Sequence, residues 1–290
     1  MNHFKINLIV IGILYLLLFS CQSTSSSVFR DALTFYVSFD KGTTADFALG
    51  DTSIYTANAS YANSKRKLEG IQAGMNNADH RIAEGKGQFG SAFEFGEKSS
   101  RVVFYKGKDN ITYDPQDWSG TISFWLSVDP SMDLEGYTDP IQITDTDYND
   151  ASIWVDFTDK DPRDFRLGVI GDKDAWTLDT LNSSSSVEFE KRIASVNTPL
   201  FSRSHWTHVT IVYDDLGTQN SLASLYLNGE KVGAVSGIDD PFTWELEKSN
   251  IFLGLNFTGL MDELSIFSKP LTDVQVMELY QLKDGIKSIL

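Results

Sequence analysis

The sequence predicts an all-β protein, a sandwich of two antiparallel sheets closed by one short C-terminal helix, on three observations. Short β-forming runs recur between turn signals: LTFYVSF (33–39), SAFEF (91–95), RVVFY (101–105), TISFWLSV (121–128), SIWVDF (152–157), FRLGVI (165–170), THVTIVY (207–213), LASLYL (222–227), KVGAV (231–235), IFLGL (251–255) and TGLMDELSIF (258–267). Many alternate apolar with polar residues, as half-buried strands do. In TISFWLSV, Ile122, Phe124, Leu126 and Val128 share one face and Thr121, Ser123, Trp125 and Ser127 the other. Second, Asn228-Gly229 separates two of these runs, the strongest two-residue hairpin signal. Third, helical character appears only at the end: Thr272 is an N-cap with Gln275 three residues on, and Leu271 can staple to Val276.

Ahead of this pattern stands an export signal. Lys5 lies in a short polar start, and an apolar run from Ile6 to Phe19 follows, too short for a bilayer span of about 20 residues. The run ends in Leu18-Phe19-Ser20-Cys21, which resembles the lipobox of bacterial lipoproteins, with Cys21 as the lipidated first residue of the mature chain. A signal anchor or a buried free thiol is the alternative. Cys21 is the only cysteine, so no disulfide can form within the chain. The expected organisation is a signal peptide over 1–20, a Ser-rich tether over 21–28 and one domain over 29–290. Gln22 follows the cysteine in place of a retention-type aspartate, which predicts the outer membrane.

Charge excludes one class of partner. The chain has 24 Lys and Arg against 40 Asp and Glu, a formal net charge of −16, and no basic block. A nucleic-acid binder needs a basic face to displace phosphate counterions. An acidic balance leaves carboxylates free for hard cations.

At this point the residues carry a family resemblance. FYVSFD, GQFGSAFEFG (87–96), GTISFWLS (120–127), HWTHVTIVYD (205–214), LYLNGEKVG and FTGLMDELSIFSKPLTDVQVMELY stand in the order found in the concanavalin A-like jelly rolls, and the chain resembles their bacterial laminin G-like type over roughly Leu33 to Tyr280. The resemblance implies two antiparallel sheets, one convex and one concave, with ligands at the concave face or its rim loops. It carries lectins, glycan-binding modules, glycosidases and lyases alike, so residues must choose among them. Related glycosidases place acids as E-x-D-x-E on one strand face, and no such run exists here. Related lyases carry Gln-[Ile/Val]-His, and the nearest match, Gln142-Ile143-Thr144, has lost the base.

His205 and His208 are three apart, on opposite faces of a strand, which argues against a shared zinc and for a structural histidine. DTDYNDASIWVD (145–156) has acids at EF-hand spacing, but Asp150 holds the position that requires Gly, so an acidic turn is expected. Sugars stack on aromatic faces while carboxylates bind their hydroxyls, so Trp176, with Asp174 beside it, and Tyr148 are the carbohydrate-binding candidates, Trp154 being read as core. In GLMDELSIF, regular alternation puts Asp262 with Leu260, Leu264 and Ile266, facing the core, and Glu263 away from it. A buried carboxylate needs a partner. The resemblance brings the two chain ends together, implies Asp40 as neighbour, and implies a structural calcium at Asp40 and Asp262 with Asp46 and Asp51 nearby; loop amides or a Lys or Arg are the alternatives. The expected function is a non-catalytic glycan-binding module of a membrane-anchored envelope lipoprotein, with a polysaccharide or glycoconjugate as partner and no nucleic acid. A lyase or hydrolase with an unrecognised site, and a protein-binding or structural module, are the competing expectations.

Overall fold

The computed structural model describes residues 27–290 except 63–64, 76–77 and 179–184; Cys21 and the leader lie outside the described residues. All eleven expected runs are strands, and six further strands join them. One sheet runs β15 (Glu230–Ser236), β14 (Leu222–Leu227), β13 (Thr207–Leu216), β8 (Trp118–Ser127), β17 (Gly259–Phe267), β1 (Leu33–Val37) and β2 (Phe47–Ala48), with β6 (Gly90–Phe95) on β17 and β5 (His80–Gly87) on β6. The other runs β12 (Ile193–Val196), β11 (Phe165–Ile170), β10 (Asp150–Phe157), β9 (Thr138–Asp147), β16 (Asn250–Leu255), β7 (Arg101–Lys106), β3 (Tyr55–Ala62) and β4 (Lys65–Ala73). The chain ends do meet in one sheet, since β1 pairs antiparallel with β17.

The core lies between the sheets. Ile122, Phe124, Leu126 and Val128 of the first face Ile141, Ile143, Ile153, Val155 and Leu167 of the second in one buried cluster. Each such side chain removed from water contributes about 1.5–3 kcal/mol. At the β14–β15 turn Asn228 and Gly229 both take positive φ, 52° and 82°, as the two-residue hairpin requires.

Helix is more frequent than the sequence suggested, because segments of six residues or fewer carry too little periodicity to read. Short helices occupy 27–32 (α1), Pro130–Asp133 (α2), Lys173–Leu178 (α3) and Ser185–Glu190 (α4), before the expected α5 (Asp273–Tyr280). Thr272 and Gln275 form the expected capping box on α5. Val276 and Leu279 of α5, with Ile286 and Ile289 beyond it, pack on Tyr36, Val212 and Tyr226 and cover the outer face of the first sheet. The outer face of the second sheet is shaped differently, by α4, the β3–β4 hairpin and the β9–β10 turn.

Candidate functional site

A cavity of about 670 Å³ opens on that outer face. Alternation along β10 sends Ile153, Val155 and Phe157 into the core and leaves Trp154 and Asp156 facing out. Trp154 pairs across β9 with Gln142 and across β11 with Gly168. Its indole lies flat over that strand only because position 168 is glycine: a Cβ there would stand 2.2 Å from the ring. Phe252 of β16 adjoins Gln142 on the other side. A one-residue slip in the β9–β10 register, between the pairs at Val155 and Phe157, brings Asp139 to the side of Asp156.

Two arginines hold these polar residues. Arg166, opposite Asp156 on β11, donates from Nε and Nη2 to the two carboxylate oxygens at 2.8 and 2.5 Å, with its guanidinium 5.1 Å from the Tyr137 ring centre. Arg66 reaches in from β4, its guanidinium 4.3 Å from the ring centre of Phe252. Its Nη2 donates to Gln142 Oε1 at 2.6 Å and stands 3.5 Å from Asp147 Oδ1. Gln142 in turn donates to Asp139 Oδ2 at 2.7 Å. Burial, then Asp156, pushes the Asp139 carboxyl well above the usual range against the pull of both arginines. Burial also raises Asp147, opposed by Arg66, and Asp156, opposed by Arg166.

Aromatic rings form the rim. Tyr61, Tyr137 and Tyr148 are 62%, 51% and 46% exposed, with Arg66 over one side of the Tyr61 ring and Arg166 over one side of the Tyr137 ring. The tip carrying Tyr148 is fixed from behind: its carbonyl accepts from Trp154 Nε1 at 2.8 Å, and Asn149 O from Trp176 Nε1 at 3.2 Å. The segment 145–156 is thus the acidic turn between two strands that the EF-hand failure predicted.

Tyr148 is the one expected carbohydrate-binding residue that lines the cavity. Trp176 is not a platform: it lies on α3, which turns the indole inward, 4% exposed, among Trp154, Ile170 and Phe189. The same helix turns Asp174 out to solvent, away from the cavity lining. Trp154 is buried as expected, yet it belongs to the floor of the cavity rather than to the inter-sheet core. Sequence reasoning missed Arg66, Asp139, Asp156 and Arg166. A signal existed in SIWVDF, where a Trp and an Asp share the face opposite three core residues. Thr144, where related lyases have histidine, is buried with Oγ1 within 3.3 and 3.2 Å of the carbonyls of Asp147 and Asp150. His208 is the structural histidine expected: buried, with burial depressing its pKa to about 3, and Nε2 2.7 Å from Ser123 Oγ.

The carboxylates of β17 require a correction. Glu263 sits at φ 55° in a bulge that breaks the β17–β8 register between Asp262 and Ser265. Met261 therefore faces the core with Leu264 and Ile266, while Asp262 pairs with Trp125 on the outer face. Both carboxylates are buried there. Asp262, 0% exposed, accepts from Phe89 N at 3.0 Å and Glu263 N at 2.8 Å. Glu263 accepts from Tyr36 OH at 2.6 Å and Ile286 N at 2.7 Å. Burial raises Asp262 to about 8 and Glu263 to about 7. Asp40 accepts from Ser91 N and pairs with Lys287 Nζ at 3.6 Å. Asp46 is taken by the amide and hydroxyl of Ser38, and Asp51 by Ser53 N and Tyr55 OH. Asp40 and Asp262, the residues expected to share a calcium, thus each have protein partners of their own: Ser91 N and Lys287 for the one, Phe89 N and Glu263 N for the other. One loop amide, Phe89 N, and the amide of Glu263 in the bulge itself are what satisfy Asp262.

The two packed antiparallel sheets define a jelly-roll β-sandwich. Residues 106–277, more than half of the chain, match the model of the concanavalin A-like lectin/glucanases superfamily, and the chain belongs to that family. No curated protein matches it in sequence. Among solved structures it is similar to domain 4 of AbnA, a GH43 extracellular arabinanase from Geobacillus stearothermophilus, solved in complex with arabinotriose: TM-score 0.52, 17% identity, covering 86% of this chain and 98% of that one. The CBM40 of Ruminococcus gnavus IT-sialidase, bound to α2,3-sialyllactose, aligns at TM-score 0.45 and 14% identity over 66% of this chain and 96% of that one. The binding domain of botulinum neurotoxin DC, in complex with SialylT, aligns at 0.48 and 11% over 90% of this chain, which spans 52% of that one. At these identities the likeness is one of fold.

Proposed function

We propose that this chain is a glycan-binding module without catalytic chemistry. The observation that carries the reading is the cavity on the second sheet, where three exposed tyrosines surround a floor of Trp154, Gln142, Asp139 and two arginines. Aromatic faces stack on the C–H faces of a sugar, and amide, carboxylate and guanidinium groups bind its hydroxyls. The family and the arabinotriose-bound relative of similar fold agree with this reading. The test is retention of the whole chain on a panel of immobilised marine and plant polysaccharides. One polysaccharide should retain it, and Tyr148→Ala, folded by circular dichroism, should weaken retention by about tenfold, as loss of one aromatic contact of about 1–1.5 kcal/mol implies. Equal retention of the variant would remove the cavity from the account.

A second reading rests on Asp139 and Asp156, two carboxyls of raised pKa in one cavity, as a hydrolase would use. Asp156 is gripped by Arg166 through both oxygens, which disfavours it as nucleophile or base. Release of reducing ends from any bound polysaccharide would establish hydrolysis instead.

The module belongs, in this reading, to a lipoprotein held to the outer membrane through Cys21. Cys21→Ser should then leave an uncleaved precursor without lipid, because no neighbouring thiol substitutes. Mass spectrometry of membrane-extracted wild type showing unmodified Cys21, or fractionation with the inner membrane, would refute it. A multiply acylated cysteine anchors stably where one acyl chain does not.

A further inference from the structure

Resting on the glycan-binding reading, we propose that the cavity selects uncharged sugars, rejects uronic and sialic acids, and owes this selection to Asp139.

Arginine grips a carboxylate through a two-pronged fork. The Nε–Nη2 fork of Arg166 is already spent on Asp156, and Nη2 of Arg66 on Gln142. What Arg66 leaves over is one terminal nitrogen: its side chain is 3% exposed, and Nη1, with its two N–H groups, has no hydrogen-bond partner among the described residues. Asn149 Oδ1, an acceptor also lining the cavity, is likewise buried without a partner among the described residues. An unpartnered donor and an unpartnered acceptor in one cavity are both answered by sugar hydroxyls, which accept and donate alike. A carboxylate only accepts, and would leave Asn149 unanswered. Neighbouring hydroxyls of an uncharged sugar can satisfy Arg66, Asn149 and the remaining oxygen of Asp139.

Charge points the same way. Asp139, Asp147, Asp156 and Glu190 line the cavity against Arg66 and Arg166, four carboxylates to two guanidiniums. Asp156 has Arg166 and Asp147 has Arg66, while Asp139 receives, among the described residues, the neutral Gln142 amide and no cation. A ligand carboxylate would add negative charge where burial already resists it.

The experiment compares matched probes on the whole chain by calorimetry: lactose against α2,3-sialyllactose, and cellotriose against the corresponding β1,4-glucuronate trimer. At least one uncharged probe should bind, and its acidic partner should bind at least about 30-fold more weakly. Measured in alkaline buffer, where the raised Asp139 carboxyl ionises, Asp139→Asn, which keeps the shape and removes that charge, should shrink the ratio about tenfold. An acidic probe binding as tightly as its neutral partner would overturn the selection while leaving the glycan reading intact. An unchanged ratio in Asp139→Asn would overturn the role of Asp139. If neither these probes nor the polysaccharide panel binds, the glycan reading fails and this inference fails with it. Should Asp139→Asn not fold, the wild-type ratio alone decides.

Discussion

Replacing Glu263 by glutamine should make the protein more stable at alkaline pH while changing little in acid. The wild-type carboxyl is buried against Tyr36 and Ile286 and raised from 4.5 to about 7, chiefly by burial. The folded state thus keeps a proton that the unfolded chain releases. Stability from this group is fully present below about pH 4.5 and is lost as pH rises through about 7. At roughly 1.4 kcal/mol per pKa unit, the loss between pH 4 and pH 8 is on the order of 3 kcal/mol. The neighbouring Asp262, raised to about 8 with Glu263 among the causes, loses stability with the same sign. Glutamine keeps an acceptor for Ile286 N and offers a donor to the Tyr36 oxygen, so the variant carries a fixed offset of about 1 kcal/mol from the changed hydrogen bonds. Urea unfolding followed by tryptophan fluorescence at unit intervals from pH 4 to pH 8 measures the difference. The stability of Glu263→Gln minus that of wild type should climb by about 3 kcal/mol across this range, roughly 6–12 °C in Tm for a domain of this size. Parallel curves, or a difference that falls with pH, would refute the assignment of a retained proton to Glu263 in this bulge.

Three further outcomes follow from the same geometry. Calcium and EDTA should give melting temperatures within about 1 °C of each other, because the oxygens of Asp40 and Asp262 already have amide and lysine partners; a saturable calcium shift of about 5 °C or more would restore the expected ion. Trp176→Ala should cost about 3–5 kcal/mol of stability, as deletion of a buried indole does, and its thermal melt should report this before any binding assay; a variant as stable as wild type would mean the ring is not packed as described. Gly168→Ala should displace the Trp154 indole, since a Cβ at 2.2 Å cannot be accommodated, and near-ultraviolet circular dichroism should register the change; an unaltered spectrum and melt would contradict the floor of the cavity.

The strands of the core were legible because alternation is a strong signal wherever one face is apolar. Of those carrying the site, β10, β11 and β16 were legible too, whereas β4 and β9 were not. In β9, TDPIQITDTD, Pro140 and three aspartates read as a loop, since the side chains that face the cavity are polar like those that face water. β4, KRKLEGIQA, is an edge strand whose charges read as a solvated run, and nothing local says that Arg66 folds over Phe252. Tyr148 was legible because a turn tip between two acidic strand ends exposes its ring in almost any packing. Trp176 was misassigned because GDKDAWTLD holds one turn and a half of helix, too short for a period to show. Asp262 and Glu263 were placed by strict alternation, which a single residue at positive φ reverses.

The central claim, that the outer face of the second sheet holds a sugar, is tested most directly by a crystal structure of the whole chain with the oligosaccharide that its polysaccharide panel selects. The account predicts a sugar ring against Tyr148 or Tyr137, with a hydroxyl within hydrogen-bond distance of Arg66 Nη1. A sugar bound elsewhere, for instance against the β5–β6 hairpin or the face covered by α5, with this cavity empty, would contradict it.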